Sequence, residues 1–340
     1  MTPSLDTLIR PLENAALPLE GKTLFLGAEW HDFLSSFNSL DIWQPWYPLA
    51  APLLAKGYEP LDGPPPSNTY DLAMVQLPKQ TDEAKFWLAS ALFGLKQGAW
   101  ILCCAPNDAN GNRIEKWLEE AGVQEIHSLS KNKCRAVWGR RPPKLPDIVQ
   151  YWGVHGGKQN VQNGDGLQFV SQPGLFGWDK IDVGSYLLST YIPKDLAGVG
   201  ADFGCGYGYL AAEILQKCDG LKHLYLADAD NRALSCAQKN IENVRGDKTI
   251  TMVWCDLVYP APVPPLDFIV MNPPFHTGKE TQASLGQAFI TTAERHLKKG
   301  GKLYMVANAH LPYEAHLKEK FSRTEQIAQE EGFKIILAVK

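Results

Sequence analysis

The 340-residue sequence predicts an α/β protein made of two tandem doubly wound domains, the second complete and the first degenerate. Three observations predict it. From about residue 196, short apolar runs alternate with stretches of helical periodicity, the pattern of a mostly parallel sheet covered by helices. The preceding half repeats that grammar more faintly, which suggests a duplication, two unrelated α/β domains of common composition being the other reading. Between the halves lie Arg141-Pro142-Pro143-Lys144-Leu145-Pro146 and a loop-rich stretch at 153–174, a composition suited to a linker. The expected domains are 1–145 and 150–340.

In the second half the apolar runs predict strands at 199–204, 222–228, 249–255, 267–271, 302–308 and 333–339. Helical periodicity fills 209–218, 231–244, 282–299 and 313–322. Ligands of such sheets sit beyond the carboxyl ends of the strands, near the point where strand order reverses. In the first half, Tyr70-Asp71-Leu72-Ala73-Met74-Val75-Gln76-Leu77-Pro78 matches the pattern of Leu266-Asp267-Phe268-Ile269-Val270-Met271-Asn272-Pro273-Pro274 position for position. Each is followed by a helix and then by Lys-Gln-Gly-Ala-Trp-Ile-Leu (96–102) or Lys-Gly-Gly-Lys-Leu-Tyr-Met (299–305). A strand at 23–27, ending at Gly27, answers the one before Gly204. Gly27-Ala28-Glu29-Trp30 has no ladder of glycines, and Gln76-Leu77-Pro78-Lys79 has no polar-aromatic ending. The first copy is therefore expected to have lost its chemistry and to serve substrate binding or support.

Composition narrows the classes. At 45% hydrophobic and 21% charged the chain is an ordinary folded one, not a disordered or collagen-like one. A formal charge of −4 gives no global pull toward nucleic acid, so any such surface must be local. The seven cysteines are odd in number and form no C-x-x-C pair, which argues against a zinc site and a disulfide framework. Most sit in apolar runs, as free thiols do in a reducing cytosol, and a cytoplasmic location is expected. The N-terminal stretch lacks a basic start with an apolar core, and no run approaches the length of a membrane span.

Chemistry concentrates at the expected strand ends. Asp202-Phe203-Gly204-Cys205-Gly206-Tyr207-Gly208 follows a strand and precedes a helix, with the spacing acid-x-G-x-G-x-G. A dinucleotide fingerprint would need glycine where Tyr209 stands. Asp228 ends the next strand, where a carboxylate can accept both hydroxyls of a ribose. Asp256 ends the third, where a short acid faces an adenine amino group. Any one of these is a common cap or turn residue. All three in register after successive strands describe an adenosine cradle, assembled from Asp202, Gly204, Cys205, Gly206, Gly208, Asp228 and Asp256. The fourth strand ends in Asn272-Pro273-Pro274-Phe275. Prolines alone would merely stop a strand, but this asparagine falls where the three loops converge.

These residues resemble those of methyltransferases that modify amino groups conjugated to a ring or a carbonyl. The resemblance implies S-adenosyl-L-methionine as cofactor, bound by the cradle and Asn272. It also implies that the Asn272 side-chain oxygen and the Pro273 carbonyl accept hydrogen bonds from the target amino group, with Pro274 shaping the turn and Phe275 stacking on the target plane. Upstream, Gln172-Pro173-Gly174-Leu175-Phe176 leads to Asp182-Val183-Gly184-Ser185-Tyr186-Leu187-Leu188. P-G-x-F, D-x-G-S-x-L-L, the glycine loop and N-P-P-F-H together resemble the bacterial ribosomal RNA guanine-N2-methyltransferases of the small-subunit type. Those are two tandem Rossmann-like methyltransferase domains with only the second active. The likeness covers 150–340 strongly and the first half by architecture. It implies that Phe176, Asp182, Gly184 and Ser185 line the pocket, and that the partner of a monomeric enzyme is ribosomal RNA or an assembling ribosomal subunit. Two other readings stay open. One is an N5-glutamine protein methyltransferase, whose family usually carries Tyr where Phe275 stands. The other is a non-catalytic RNA-binding or ribosome assembly protein.

One local stretch suits RNA. Between Lys131 and Lys144 stand Lys131, Lys133, Arg135, Arg140, Arg141 and Lys144 with no acid, and Trp138 offers a stacking face. The same residues alternate as a half-buried strand with a basic outer face would.

Overall fold

The computed structural model describes residues 2–161, 168–274 and 279–340, with side chains from 284 onward in the last stretch. It divides into two compact units, Met1–Gln159 with Gln172–Gly174, and Asn160–Ser171 with Leu175–Lys340. No helix is long and apolar enough to cross a membrane among the described residues.

The first unit runs α1 (Pro3–Glu13), β1 (Lys22–Leu26), β2 (Ser39–Trp43), α2 (Tyr47–Leu54), β3 (Tyr70–Gln76), α3 (Thr81–Gly94), β4 (Leu95–Pro106), α4 (Ile114–Glu120), β5 (Gln124–Lys131), β6 (Cys134–Arg140) and α5 (Asp147–His155). Its sheet has the order β2-β1-β3-β4-β6-β5, parallel as far as β4 and antiparallel beyond. Helix α5 joins this unit because Val149 and Trp152 are buried in one core with Ala84, Leu88 and Ala89 of α3. The division thus falls after the helix, later than the proline-rich stretch at 141–146 suggests by composition.

The second unit follows a short ribbon, β7 (Gln159–Asn160) with β8 (Val170–Ser171). It comprises α6 (Val183–Tyr191), β9 (Gly198–Phe203), α7 (Tyr209–Lys217), β10 (Leu221–Asp228), α8 (Asn231–Ile241), β11 (Thr249–Trp254), β12 (Leu266–Met271), α9 (Lys279–His296), β13 (Leu297–Asn308), α10 (Glu314–Lys320), β14 (Arg323–Glu330) and β15 (Phe333–Val339). The seven strands are ordered β11-β10-β9-β12-β13-β15-β14. Alternate residues of each strand enter different layers. Leu224, Leu226, Phe268 and Val270 pack with α6, α7 and α8, whereas Ala227, Ile269 and Met271 pack with Ile290 and Ala293 of α9 and Leu317 of α10. Burial on both faces explains why these strands are apolar runs and not alternating ones. Strand order reverses between β9 and β12, so the loops after Phe203 and Met271 leave the sheet side by side.

The duplication extends to individual hydrogen bonds. Asp71 Oδ2 accepts from Lys22 N at 2.9 Å and Oδ1 from Lys96 Nζ at 2.8 Å. Asp267 Oδ2 accepts from Val199 N at 2.8 Å and Oδ1 from Lys298 Nζ at 2.7 Å. Gly98 N donates to Arg141 O, and Gly300 N to Lys340 O. Lys96 therefore corresponds to Lys298, one residue before the match that the Lys-x-Gly pattern suggests. Strand β11 has no full counterpart in the first unit. A single parallel bridge between Ile42 and Pro60 occupies the edge next to β2.

Candidate active site

The glycine loop grows out of β9. Gly204 N and Cys205 N both donate to the Ala227 carbonyl, at 2.8 and 3.1 Å, which folds the loop back over β10. Gly204, Gly206 and Gly208 all have positive φ, at 74°, 53° and 87°. At Gly208, the cap of α7, a Cβ would lie 2.9 Å from the Ala237 Cβ, so the loop seats on α8 only without a side chain. At Gly206 a Cβ would meet nothing within 4 Å. That backbone faces open space, as a loop that must receive a ligand requires. The Cys205 thiol is buried and leans on the Gly206 carbonyl, so this residue can serve a ligand through its backbone and not its side chain. Asn240 of α8 braces the loop by donating to Tyr207 O at 2.7 Å and to Val170 O at 2.8 Å. Sequence reasoning passed over Asn240. Its signal was an amide inside an amphipathic helix.

Three acids line this end of the sheet. Asp202 is completely buried, and among the described residues its carboxylate oxygens make no well-formed hydrogen bond, the Ala211 N–H acting on them only weakly. Burial pushes the carboxyl up to about 8, the nearby Asp228 charge adds to the rise, and the Ala211 N–H offsets part of it. An unpaired buried carboxylate is costly, and a cation beside it removes the cost. Asp228 is held by two backbone donors, Gly206 N to Oδ2 and Asp230 N to Oδ1, both at 2.8 Å. Burial raises its carboxyl to about 6 against these hydrogen bonds. Each oxygen has lone pairs left for a further donor, such as a ribose hydroxyl. Asp256 follows β11, with Oδ1 accepting from Val258 N at 3.0 Å. Orphaned acid, open glycine turn and a half-occupied second acid together fit a ligand with hydroxyl donors and positive charge.

The loop after β12 brings in Asn272. Its Nδ2 donates to Asp182 Oδ2 at 2.9 Å and to Ser185 Oγ at 2.8 Å, while its Oδ1 is buried with no partner among the described residues. Asp182 also caps α6, taking Ser185 N on the same Oδ2 at 2.8 Å. Gly184 stands where a Cβ would come within 3.0 Å of the Phe333 ring, so α6 lies directly on β15 there. Tyr207 of the glycine loop lies near enough to Asp182 for that charge to raise its phenol further above the level set by burial. Asp182, Gly184, Ser185 and Asn272 thus meet beside the glycine loop. Pro273 is buried, Pro274 is exposed, and Phe176 is 45% exposed. Phe275 lies outside the described residues.

The basic stretch forms the end of β5 and β6. Arg135 pairs with Glu115, Arg140 with Glu125 at 3.0 Å while lying over the Trp100 ring, and Lys131 with Asp6 at 3.8 Å. Arg141 donates to the Leu92 and Pro142 carbonyls. Lys133 and Lys144 are exposed, and Trp138 is half-buried and stacked on His127. Four of the six cations are thus committed to internal partners.

The matching place in the first unit is built differently. Gly27 N donates to Trp43 O at 2.8 Å, as Gly204 N does to Ala227 O. Gln44 holds the position of Asp228, and its Oε1 accepts from Trp46 N as Asp228 Oδ1 accepts from Asp230 N. Gln76 holds that of Asn272. A Cβ on Gly27 would lie 2.6 Å from the Trp87 ring, and Trp87 packs edge-on against Trp43 at 4.9 Å. Two indoles thus pack around the turn.

Comparison with known proteins identifies relatives of this chain. The methyltransferase small domain family matches residues 166–337. Ribosomal RNA small subunit methyltransferase C of Aeromonas hydrophila is 30% identical over 273 residues, 79% of this chain and 77% of that protein. The protein of that name from Enterobacter sp. (strain 638) is 34% identical over 275 residues, 79% of this chain and 75% of that one. Among solved structures, the T. thermophilus 16S rRNA N2 G1207 methyltransferase, in complex with AdoMet and guanosine, matches with a TM-score of 0.78. It is 21% identical, with 98% of this chain and 91% of that chain covered, a likeness of fold.

Proposed function

The chain belongs to the methyltransferase small domain family and, within it, to the ribosomal RNA small subunit methyltransferase C group, and from that premise we propose its reaction. It transfers a methyl group from S-adenosyl-L-methionine to the exocyclic N2 amino group of a guanine in small-subunit ribosomal RNA. The observation that carries this reading is the Asn272 amide, whose nitrogen is pinned by two acceptors while its oxygen is buried and unpaired among the described residues. A buried acceptor without a donor awaits one, and an amino group is a donor.

The cofactor supplies a methyl on a sulfonium, a leaving group that needs no acid. Asp202 places negative charge where a cationic ligand is wanted, and Asp228 offers its remaining lone pairs to the ribose. Asp256 would hold the adenine edge, and the backbone of Gly204, Cys205, Gly206 and Gly208 would allow close approach. A guanine amino nitrogen has a delocalised lone pair and is a poor nucleophile. Asn272 Oδ1 and the Pro273 carbonyl would accept its two N–H groups, turn the lone pair toward the methyl and stabilise the positive charge that grows on nitrogen. The sulfur would leave as a neutral thioether, and one N–H proton would pass to solvent. In-line placement contributes most of the remaining rate. Pro273 and Pro274 hold the turn. Residues 1–145 keep the fold without an open cradle and act in substrate binding or support, with Lys133 and Lys144 the most available cations. Phe176, 45% exposed, would line the substrate side of the site.

Mass mapping of methylated nucleotides in both ribosomal RNAs, from cells with and without this protein, tests the reading. One N2-methylguanine lost from the small-subunit RNA and restored by the wild-type chain is expected. Unchanged ribosomal RNA would refute it.

A further inference from the structure

We infer that Asp182 and Ser185 are positioning residues that fix which end of the Asn272 amide faces the substrate, and thereby select an N–H donor as the methyl acceptor. The inference rests on the reaction proposed above. An amide side chain is nearly symmetric in shape and opposite in chemistry at its two ends, one accepting and the other donating. Nothing in the asparagine itself decides which end points outward. Here the neighbours decide. The Asp182 carboxylate only accepts, so the end of the amide 2.9 Å from Oδ2 must be the nitrogen. Its second N–H goes to Ser185 Oγ at 2.8 Å, which leaves Nδ2 with no proton to offer a substrate. Oδ1 is left as the free atom, buried and without a partner among the described residues.

The alternative orientation would present two N–H groups to the pocket. Those would repel an amino group and welcome a carbonyl oxygen, the group a guanine carries at the other end of the same edge. The clamp therefore discriminates between target atoms as well as holding one of them. It also strengthens the chosen acceptor, because donation to a carboxylate polarises the amide and places more negative charge on Oδ1. Asp182 is held for the task by Ser185 N, so a single helix turn, the first of α6, carries the whole clamp.

Single-turnover methyl transfer to small-subunit ribosomal RNA, at saturating S-adenosyl-L-methionine, tests this in the full-length chain. Asp182→Ala and Ser185→Ala should each slow transfer by about tenfold, since loss of a supporting contact lets the acceptor stray. The cofactor dissociation constant should stay within about twofold. Asp182→Asn keeps an acceptor and the helix cap, and should recover most of the loss. In an Asn272→Ala background the Asp182 and Ser185 substitutions should cost less than about twofold further, because the residue they act through is gone. Multiplying losses in that background would mean that Asp182 merely caps a helix, and would overturn the inference. Should Asp182→Ala misfold, Ser185→Ala retains cap and helix and decides alone. A second readout needs no activity: the two Asn272 Nδ2 protons should be separate and protected from exchange in the wild-type NMR spectrum, and lose protection in Ser185→Ala. Unprotected protons in the wild type refute the clamp. Protected protons in a wild-type chain that methylates no RNA would sink the proposed reaction and leave the clamp standing.

Discussion

Asp202 and Asp228 stand at the ends of adjacent parallel strands, and the charge of the second helps keep a proton on the first. Burial is the larger cause, and it lifts Asp202 from 3.8 to about 8. At neutral pH the ligand-free protein therefore holds Asp202 mostly protonated. A cation bound alongside favours the charged form and lowers that value. Binding of S-adenosyl-L-methionine at neutral pH should thus release a fraction of a proton. Calorimetry in two buffers of different ionisation enthalpy should show different apparent binding enthalpies, and Asp202→Asn should erase the difference. Equal enthalpies for the wild type would remove Asp202 from the cofactor site.

The same group makes stability depend on pH in a definite direction. Its folded value lies above its unfolded one, so between 3.8 and about 8 the folded state binds more protons than the unfolded state. Its contribution is fully favourable below that window and is lost as pH rises through it. Asp202→Asn, which never ionises, should melt higher than the wild type above pH of about 8, by roughly 2–4 °C for each kcal/mol recovered. Below the window the two should melt alike. A wild type that gains on the variant as pH rises would contradict the assigned burial.

Asp228→Ala should weaken cofactor binding by about 1.5–3 kcal/mol for each charge-assisted bond lost. That corresponds to about tenfold or more in the dissociation constant. Part of the loss comes through the protein, because Gly206 N and Asp230 N lose their acceptor and the loop loosens. Isothermal titration of a folded variant with unchanged affinity would place the ribose elsewhere.

One cofactor should bind per chain. In the first unit the Trp87 ring packs against Gly27, and Gln44 and Gln76 stand for Asp228 and Asn272. Titration at millimolar S-adenosyl-L-methionine should show a stoichiometry of one, abolished by substitutions in the second unit alone. A second saturable site surviving Asp228→Ala would reopen the first unit as a binding domain.

Legibility followed burial. Strands β9, β10 and β12 were readable because residues covered on both faces must be apolar. Strand β14, Arg323–Glu330, was not, since it is an edge strand with mostly exposed residues, and β5 escaped notice for the same reason. The start of β13 at Leu297 was hidden by the charged Lys298 and Lys299, which read as the end of a helix. Of the site, the glycine loop and acids were local in sequence and could be seen. The tie from Asn272 to Ser185 spans 87 positions and depends on where α6 settles on β15, which no pattern of residues states.

The lone bridge at Pro60 makes the decay of the first unit hard to reverse. Restoring the lost acid and amide there needs only Gln44→Asp and Gln76→Asn. Two small codon changes would still leave the ancestral cradle without its third wall, because the wall hangs on an entire strand. The segment at that edge offers a proline, which has no N–H to extend a ladder. An open cradle in the first unit would thus need a new edge strand as well as new side chains.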